Sequence, residues 1–349
     1  MTDSIGQPLL AEGTVFIDTT PSVADDDQTM GDIRDIGAPD EVNFEDCGDL
    51  ARSLDILSHL AVDLELAGLA GELRSAKIIY LAVTSRLFPW PLSVAHKGPS
   101  SAGKSFTVER TLRFFPDEAY LARTAMSERG LVYTDEDLQH RMLVLYEADA
   151  IATGRGAYLL RTLLSEGMLR YEVVERTREG YKTRLIEREG PTGLIMTTTQ
   201  TGLDPELETR LLSLTVTDTA AQTKAVMQAL ARSRSSSDAV PVDYAKWHNF
   251  QQWLSAGERR VVVPFAEKLA ELVLAIAVRQ RRDFGALLTL IGAHALLHRA
   301  SRDHDQTGAI IATTEDYAAV RELVADVFAE ASRRRCPRRC GRRWTQLRR

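Results

Sequence analysis

Residues 91–115 read PLSVAHKGPSSAGKSFTVERTLRFF, and the fold turns on them. From Pro91 to Lys97 a short apolar run predicts a buried strand, which enters a Gly-Ser-rich turn. From Ser105 the apolar residues recur at helical spacing as far as Pro116. The turn between them, GPSSAGKS over Gly98–Ser105, matches GxxxxGK[ST] at every fixed position. Chance alone would place that pattern in roughly one chain in a hundred of this length, with glycine near 7% of residues. Strand, loop and helix in this order are what phosphate binding requires. The loop from Gly98 through Pro99, Ser100, Ser101, Ala102 and Gly103 curls so that its N–H groups turn inward, and the helix behind it adds its positive end. Lys104 is then expected to reach the β and γ phosphates of ATP, and the Ser105 hydroxyl to bind Mg²⁺.

Such a site also needs a carboxylate at the end of a neighbouring strand, to hold Mg²⁺ through water or to activate the attacking water. RMLVLYEAD (141–149) supplies an apolar strand followed by Glu147 and Asp149. The usual order is Asp then Glu, and here Tyr146 occupies the Asp position. Glu147 is therefore expected to be the water-activating base, with Mg²⁺ falling to Ser105, water and Asp149.

Outward from this centre, residues 51 to 85 carry apolar positions at helical spacing and predict two helices. AYLART (119–124) predicts a second strand, a polar segment through Asp135, Glu136 and Asp137 follows, and residues 155 to 166 predict a helix. RYEVVERTREGYKTRLIERE alternates about Glu179-Gly180 and predicts a β-hairpin over 169–189. GLIMTTT (193–199) predicts another strand, and from 218 onward the chain reads as helical, broken by a Ser-rich stretch at 233–238. Strands alternating with helices and then an all-helical segment describe an α/β domain with a helical appendage.

In this order the features resemble the AAA+ P-loop ATPase family, in particular its clade with a β-hairpin before sensor 1, which includes the minichromosome maintenance helicases and enhancer-binding transcription activators; phage primase-helicase-associated ATPases look similar. The resemblance covers roughly residues 51 to 330. It rests on GPSSAGKS, LVLYEAD, LLRTLLSEGMLRYEVVERTREGYKTRLIEREG, GLIMTTT and PELETRLLSL, of which only the first is specific alone. It implies a parallel-sheet P-loop core with a hairpin insertion and a C-terminal α-helical lid. Sensor 1 would fall on Thr199, with Thr198 the alternative; the family more often has Asn there. Arg210 in PELETRLL takes the place of the arginine finger, which neutralises transition-state charge on a neighbouring subunit's ATP. RDFGALLTLIGAHA (282–295) resembles the sensor 2 helix and puts Arg282 at the cis- or trans-acting arginine, with Arg279 and Arg281 beside it. A finger that serves a neighbour implies a homo-oligomeric ring.

The hairpin is the candidate for work on a polymer. Near its tip Arg176, Arg178, Lys182 and Arg184 outnumber Glu175 and Glu179, and Tyr181 could stack on a base. In helicases of this clade such hairpins follow phosphates in the pore, so a basic tip suits non-sequence-specific DNA binding. The alternative is a solvated hairpin with alternating charge pairs. Two rival outputs use the same motor: remodelling of a polypeptide, and a nucleotide switch with weak turnover, to which Tyr146 points.

Charge divides along the 349 residues as the motifs do. Residues 1–50 sum to −12, residues 51–332 to −3 and residues 333–349 to +9, for a net −6. The expected domains are an acidic tail (1–50), the ATPase core with its N-terminal helices (51–225), a helical lid (226–332) and an arginine-rich tail (333–349). The apolar stretch Leu272–Val278 is far short of the ~20 residues of a membrane span, and MTDSIGQPLL lacks the basic and apolar regions of a secretory signal. Three cysteines, Cys47, Cys336 and Cys340, make no disulfide framework, which suits a cytoplasmic location. His294 and His298 stand at metal-ligand spacing but lack the glutamate of a zinc protease motif, so a core pair is expected. Trp90, Trp247 and Trp253 are expected to pack.

Overall fold

The computed structural model describes residues 44–178, 180–200, 202–235, 241–273 and 279–335. The acidic arm before Phe44, Glu179 at the hairpin turn, part of the Ser-rich stretch and the arginine-rich end with Cys336 and Cys340 lie outside these residues.

Seven strands build the first part: β1 (Ser93–Lys97), β2 (Tyr120–Arg123), β3 (Arg141–Leu145), β4 (Met168–Thr177), β5 (Gly180–Glu189), β6 (Thr192–Thr198) and β7 (Leu211–Thr215). The early helices are α1 (Gly48–Ala51), α2 (Ile56–Leu66), α3 (Leu73–Thr84), α4 (Lys104–Leu112), α5 (Glu128–Tyr133), α6 (Gly154–Glu166) and α7 (Pro205–Glu208). Then come α8 (Ala220–Ser235), α9 (Tyr244–Ala256), α10 (Ala266–Leu272), α11 (Arg279–Leu297) and α12 (Thr314–Arg335), with a two-residue parallel pair, β8 (Val261–Val262) and β9 (Ile310–Ile311).

The central sheet has five parallel strands in the order β2-β3-β6-β1-β7. Successive residues of a strand face opposite sides, and the burial follows that alternation. Val94, Met142, Val144, Ile195, Leu212 and Leu214 join one apolar cluster with α2, α3, α4, α9, α11 and α12. Ala95, Leu143, Leu145, Leu194, Met196 and Leu211 join the other, with α5 and α6. Helices on both faces of a parallel sheet place a ligand site at the carboxyl ends of the strands.

An α/β fold with a parallel core is thus present, and the predicted hairpin is an antiparallel pair in full register from Met168↔Glu189 to Thr177↔Gly180. Two readings are corrected and two features are added. The polar stretch before Asp135 contains α5, started by Ser127, whose side chain accepts from the Gly130 N–H at 3.1 Å. LLSLT, after the predicted finger, is a core strand that the sequence reading did not assign. Residues 44–50 are not tail: Cys47 and Leu50 are buried in the main core. The C-terminal helical part packs on the core: Trp247, Phe250, Leu290, Ile291 and Val320 share one cluster with α3 and the sheet.

Within the helical part His294 and His298 are buried, as expected. His294 Nδ1 and the Arg302 guanidinium bind the fully buried Asp316 carboxylate at 2.7 and 2.6 Å. Both partners hold that carboxyl far below the usual range, against the cost of burying it. Trp247 and Trp253 pack, but Trp90 is 64% exposed. It stands instead at the rim of a groove of about 1110 Å³ shared with Phe88, His140, Arg259 and Leu288. No helix among the described residues is long and apolar enough to cross a membrane.

Candidate functional site

Gly98–Ser105 joins the carboxyl end of β1 to the start of α4, as the sequence predicts. Ser101 (φ 63°) and Gly103 (φ 86°) both adopt left-handed backbone. Glycine does so freely, whereas at serine the conformation costs on the order of 1 kcal/mol, the kind of strain that binding loops carry. Gly98 has a packing reason: an added Cβ would come within 3.2 Å of Val216. Gly103 offers no side-chain cap to α4, so the first N–H groups of that helix face the loop.

Lys104 is 8% exposed and donates from Nζ to the carbonyls of Gly98 and Pro99, at 2.8 and 2.6 Å. Burial lowers its pKa, and the negative charge of Asp149 opposes that shift. An ammonium held over the mouth of a glycine loop, with an uncapped helix start behind it, fits a triphosphate. No described cluster of three or more His, Cys, Asp or Glu side chains could hold a metal by itself. A hydroxyl at Ser105, with phosphate oxygens and water completing the shell, is the donor set that suits Mg²⁺.

β6 lies between β1 and β3, and its last two side chains point to opposite faces of the sheet. Thr197, 1% exposed, faces α4; its Oγ1 is 3.3 Å from Ser105 Oγ and donates to the Tyr146 carbonyl. Thr198 faces the acids and donates to Asp149 Oδ1 at 2.5 Å, while its own oxygen accepts from the Gln200 N–H at 3.0 Å. Thr199, exposed and one residue beyond the strand, reaches Asp149 Oδ2 at 3.5 Å. The structure therefore draws Lys104, Ser105, Asp149 and the threonines together at one sheet edge. Glu147 stands at the same edge, exposed, its backbone N–H bound to the Thr124 carbonyl at 2.8 Å.

Tyr146 follows the parity of Met142 and Val144, so its ring packs on the main core. Burial, then the charges of Glu109 and Tyr120, push its phenol up to about 12. His96, on the strand leading into the loop, is fully buried with neither ring nitrogen hydrogen-bonded, and burial pushes its pKa down to about 4. Neither His96 nor Thr197 stood out in the sequence. Strand parity was the available signal for Thr197, since residues 195 and 197 must share the α4 face.

Arg210 and Arg282 lie elsewhere. Leu211 pairs with Ser93 at the start of β1, so Arg210 sits at the amino edge of the sheet. Five residues of strand put roughly 16 Å between it and the glycine loop. Its guanidinium donates to Ser165 Oγ and to the Glu206 carbonyl, and Arg282 donates to Thr209 Oγ1 beside it. Burial lowers the Arg210 pKa, and repulsion from Arg282 and Arg161 adds to that, against the pull of Glu206 and Asp204. The resemblance allowed Arg282 to act in cis or in trans; in the fold it stands with Arg210 and away from Lys104. Arg281 is exposed, and the side chain of Arg279 lies outside what the structure describes.

The hairpin leaves from the amino edge and runs back along α6: Arg155, the second residue of α6, donates to the Tyr171 hydroxyl of β4. Leu169 and Ile186 bury its base. Eight strand steps from Leu169 to Thr177 carry the tip roughly 27 Å from there. Arg176, Arg178 and Lys182 are exposed at the tip, with Tyr181 opposite Arg176 and 76% exposed. Arg184 pairs with Glu175 at 3.5 Å and Arg170 with Glu187 at 2.9 Å, so part of the basic charge is spent within the hairpin. Comparison with models of known protein families finds no match, and none of the curated proteins matches the chain either.

Proposed function

We propose that this chain is an AAA+ ATPase that binds ATP with Mg²⁺, hydrolyses it between subunits of a homo-oligomeric ring, and uses the cycle to work on DNA. The observation that carries the reading is the convergence of Lys104, Ser105, Thr197, Thr198 and Asp149 on one glycine loop at the carboxyl edge of the parallel sheet. Sheet order, hairpin placement and the arginines at the far edge support the family reading.

Lys104 would leave its two carbonyl partners for the phosphate oxygens, and the loop N–H groups and the α4 N-terminus would hold the rest of the triphosphate. Ser105, with water, would hold Mg²⁺, which when bound would neutralise phosphate charge. Glu147 takes a proton from the attacking water, and Asp149, held by Thr198, stands ready to hold Mg²⁺ through water. Arg210 and Arg282 serve a neighbouring copy, because their own nucleotide lies a full strand length away. Most of the barrier reduction then comes from positioning and charge neutralisation. The exposed basic tip with Tyr181 favours a nucleic-acid strand, through phosphate contact and stacking.

A slow-turnover switch is the second reading, favoured by one observation: Tyr146 buries an aromatic ring where a metal-binding acid would stand. Multiple-turnover phosphate release, measured with no DNA, with single strands and with duplex, separates the two. Turnover stimulated by DNA supports the motor; binding without turnover in all three arms supports the switch; DNA-independent turnover leaves a polypeptide as the polymer.

A further inference from the structure

We infer that Thr197 is the positioning residue that aims Ser105 at the metal, in place of the acid missing at position 146. The inference rests on the ATP·Mg²⁺ reading of the site. A hydroxyl owns one proton and two lone pairs. The Thr197 proton goes to the Tyr146 carbonyl. Its contact with Ser105 Oγ at 3.3 Å must then be one in which Ser105 donates and Thr197 accepts. Ser105, its proton committed inward, turns its lone pairs outward, which is the state a cation needs.

The relay runs from Ser105 to Thr197 to a backbone carbonyl. Thr197 is held for it by the sheet: it pairs with His96 of β1 in parallel register and is 1% exposed. Only the main chain of Tyr146 takes part, which explains how an aromatic ring is tolerated there. Because every member is uncharged, the relay itself brings no carboxylate to the cation, and the phosphates carry the larger share of Mg²⁺ binding.

The test is a titration of the full-length chain with a fluorescent ATP analogue, in EDTA and across a Mg²⁺ series. Thr197→Val, which keeps shape and removes the hydroxyl, is expected to leave the EDTA affinity within twofold and to raise the Mg²⁺ concentration for half-maximal effect about tenfold, or ~1.4 kcal/mol. Thr197→Ser should restore it to within about threefold. In a Ser105→Ala background Thr197→Val should add nothing, since both changes cut the same relay. Thr197→Ala carries the same expectation and serves if the valine variant loses its native circular dichroism. An unchanged Mg²⁺ curve in Thr197→Val overturns the inference, and so does an equal loss of affinity in EDTA, which would mean that Thr197 merely props the loop. Nucleotide binding that ignores Mg²⁺ in the wild type overturns the relay but not the ATP site. A wild type that binds no nucleotide overturns both.

Discussion

The two edges of the central sheet are built from the same strands and carry opposite chemistry. At the carboxyl edge the Lys104 ammonium lies among hydroxyls, backbone donors and the acids Glu147 and Asp149, while Lys97 and Arg123, at the ends of β1 and β2, are paired with Glu208 and Glu136. At the amino edge Arg210 and Arg282 gather around Ser165 and Thr209, with Arg161 held by Glu206 and Asp204 nearby. On the proposed reading the first edge would cradle a triphosphate, but its other cations are already paired with acids and do not meet charge that develops on the γ-phosphate. The second gathers cations away from the glycine loop. On that same proposed reading, edges roughly 16 Å apart in one chain would meet only between two stacked copies.

That contrast can be broken at several points. The largest effect is expected at the cradle: Lys104→Ala should weaken ATP binding roughly 100-fold or more, measured by titration with a fluorescent analogue. Wild-type affinity in that variant would remove the carboxyl edge from the proposal. Next, Arg210→Ala should bind ATP normally yet lose on the order of 10³-fold in turnover. Mixed with Lys104→Ala, it should regain activity, because about one interface in four then joins an intact cradle to an intact arginine under random mixing. A mixture as inactive as its parts would show that the two edges do not meet.

Glu147→Gln should keep ATP affinity and reduce phosphate release by roughly 10²-fold or more, as loss of a general base does. Normal hydrolysis in that variant would pass the role to Asp149, whose Asp149→Asn counterpart should then be the inactive one. A smaller change is expected from Arg176→Ala with Lys182→Ala: the slope of log affinity against log salt should fall by about one per lost phosphate contact, without loss of ATP binding. An unaltered slope would leave the hairpin a solvated arm.

The smallest effect is in stability. Burial holds His96 and His298 at about 4, whereas in the unfolded chain they titrate near 6.5. Between those values the unfolded chain takes up protons that the folded one excludes. Stability should therefore fall as the pH drops from 6.5 to 4, by roughly 2 kcal/mol per histidine, and this contribution should level off below 4. Denaturant midpoints at pH 7 and 4.5, with His298→Gln as the flatter comparison, measure it; equal midpoints in the parent chain would mean that both rings are solvated.

Much of this was legible before any coordinates. The loop, its flanking strand and helix, and the hairpin with its turn follow from local rules: glycine where the backbone must curl, period-2 alternation in strands, period-3.6 spacing in helices. Those rules work where a segment's pattern is long or its turn chemistry distinctive. They missed α5, six residues begun by a serine cap, and β7, whose LLSLT continues an apolar run from a helical turn. They also expected Trp90 to pack, since hydropathy records a side chain's preference and not the room available to it.

What sequence alone determined was the chemistry at hand: a glycine-rich loop, two acids after a strand, Thr198 and Thr199, and arginines at 210 and 282. Tertiary structure decided which of these meet. Strand order set β6 between β1 and β3, and pleat parity sent Thr197 to Ser105 and Thr198 to Asp149. Register carried Arg210 to the far edge beside Arg282, although 72 residues of chain separate them. The reason is that periodicity fixes the face of each element, whereas pairing between distant strands depends on the whole packed sheet.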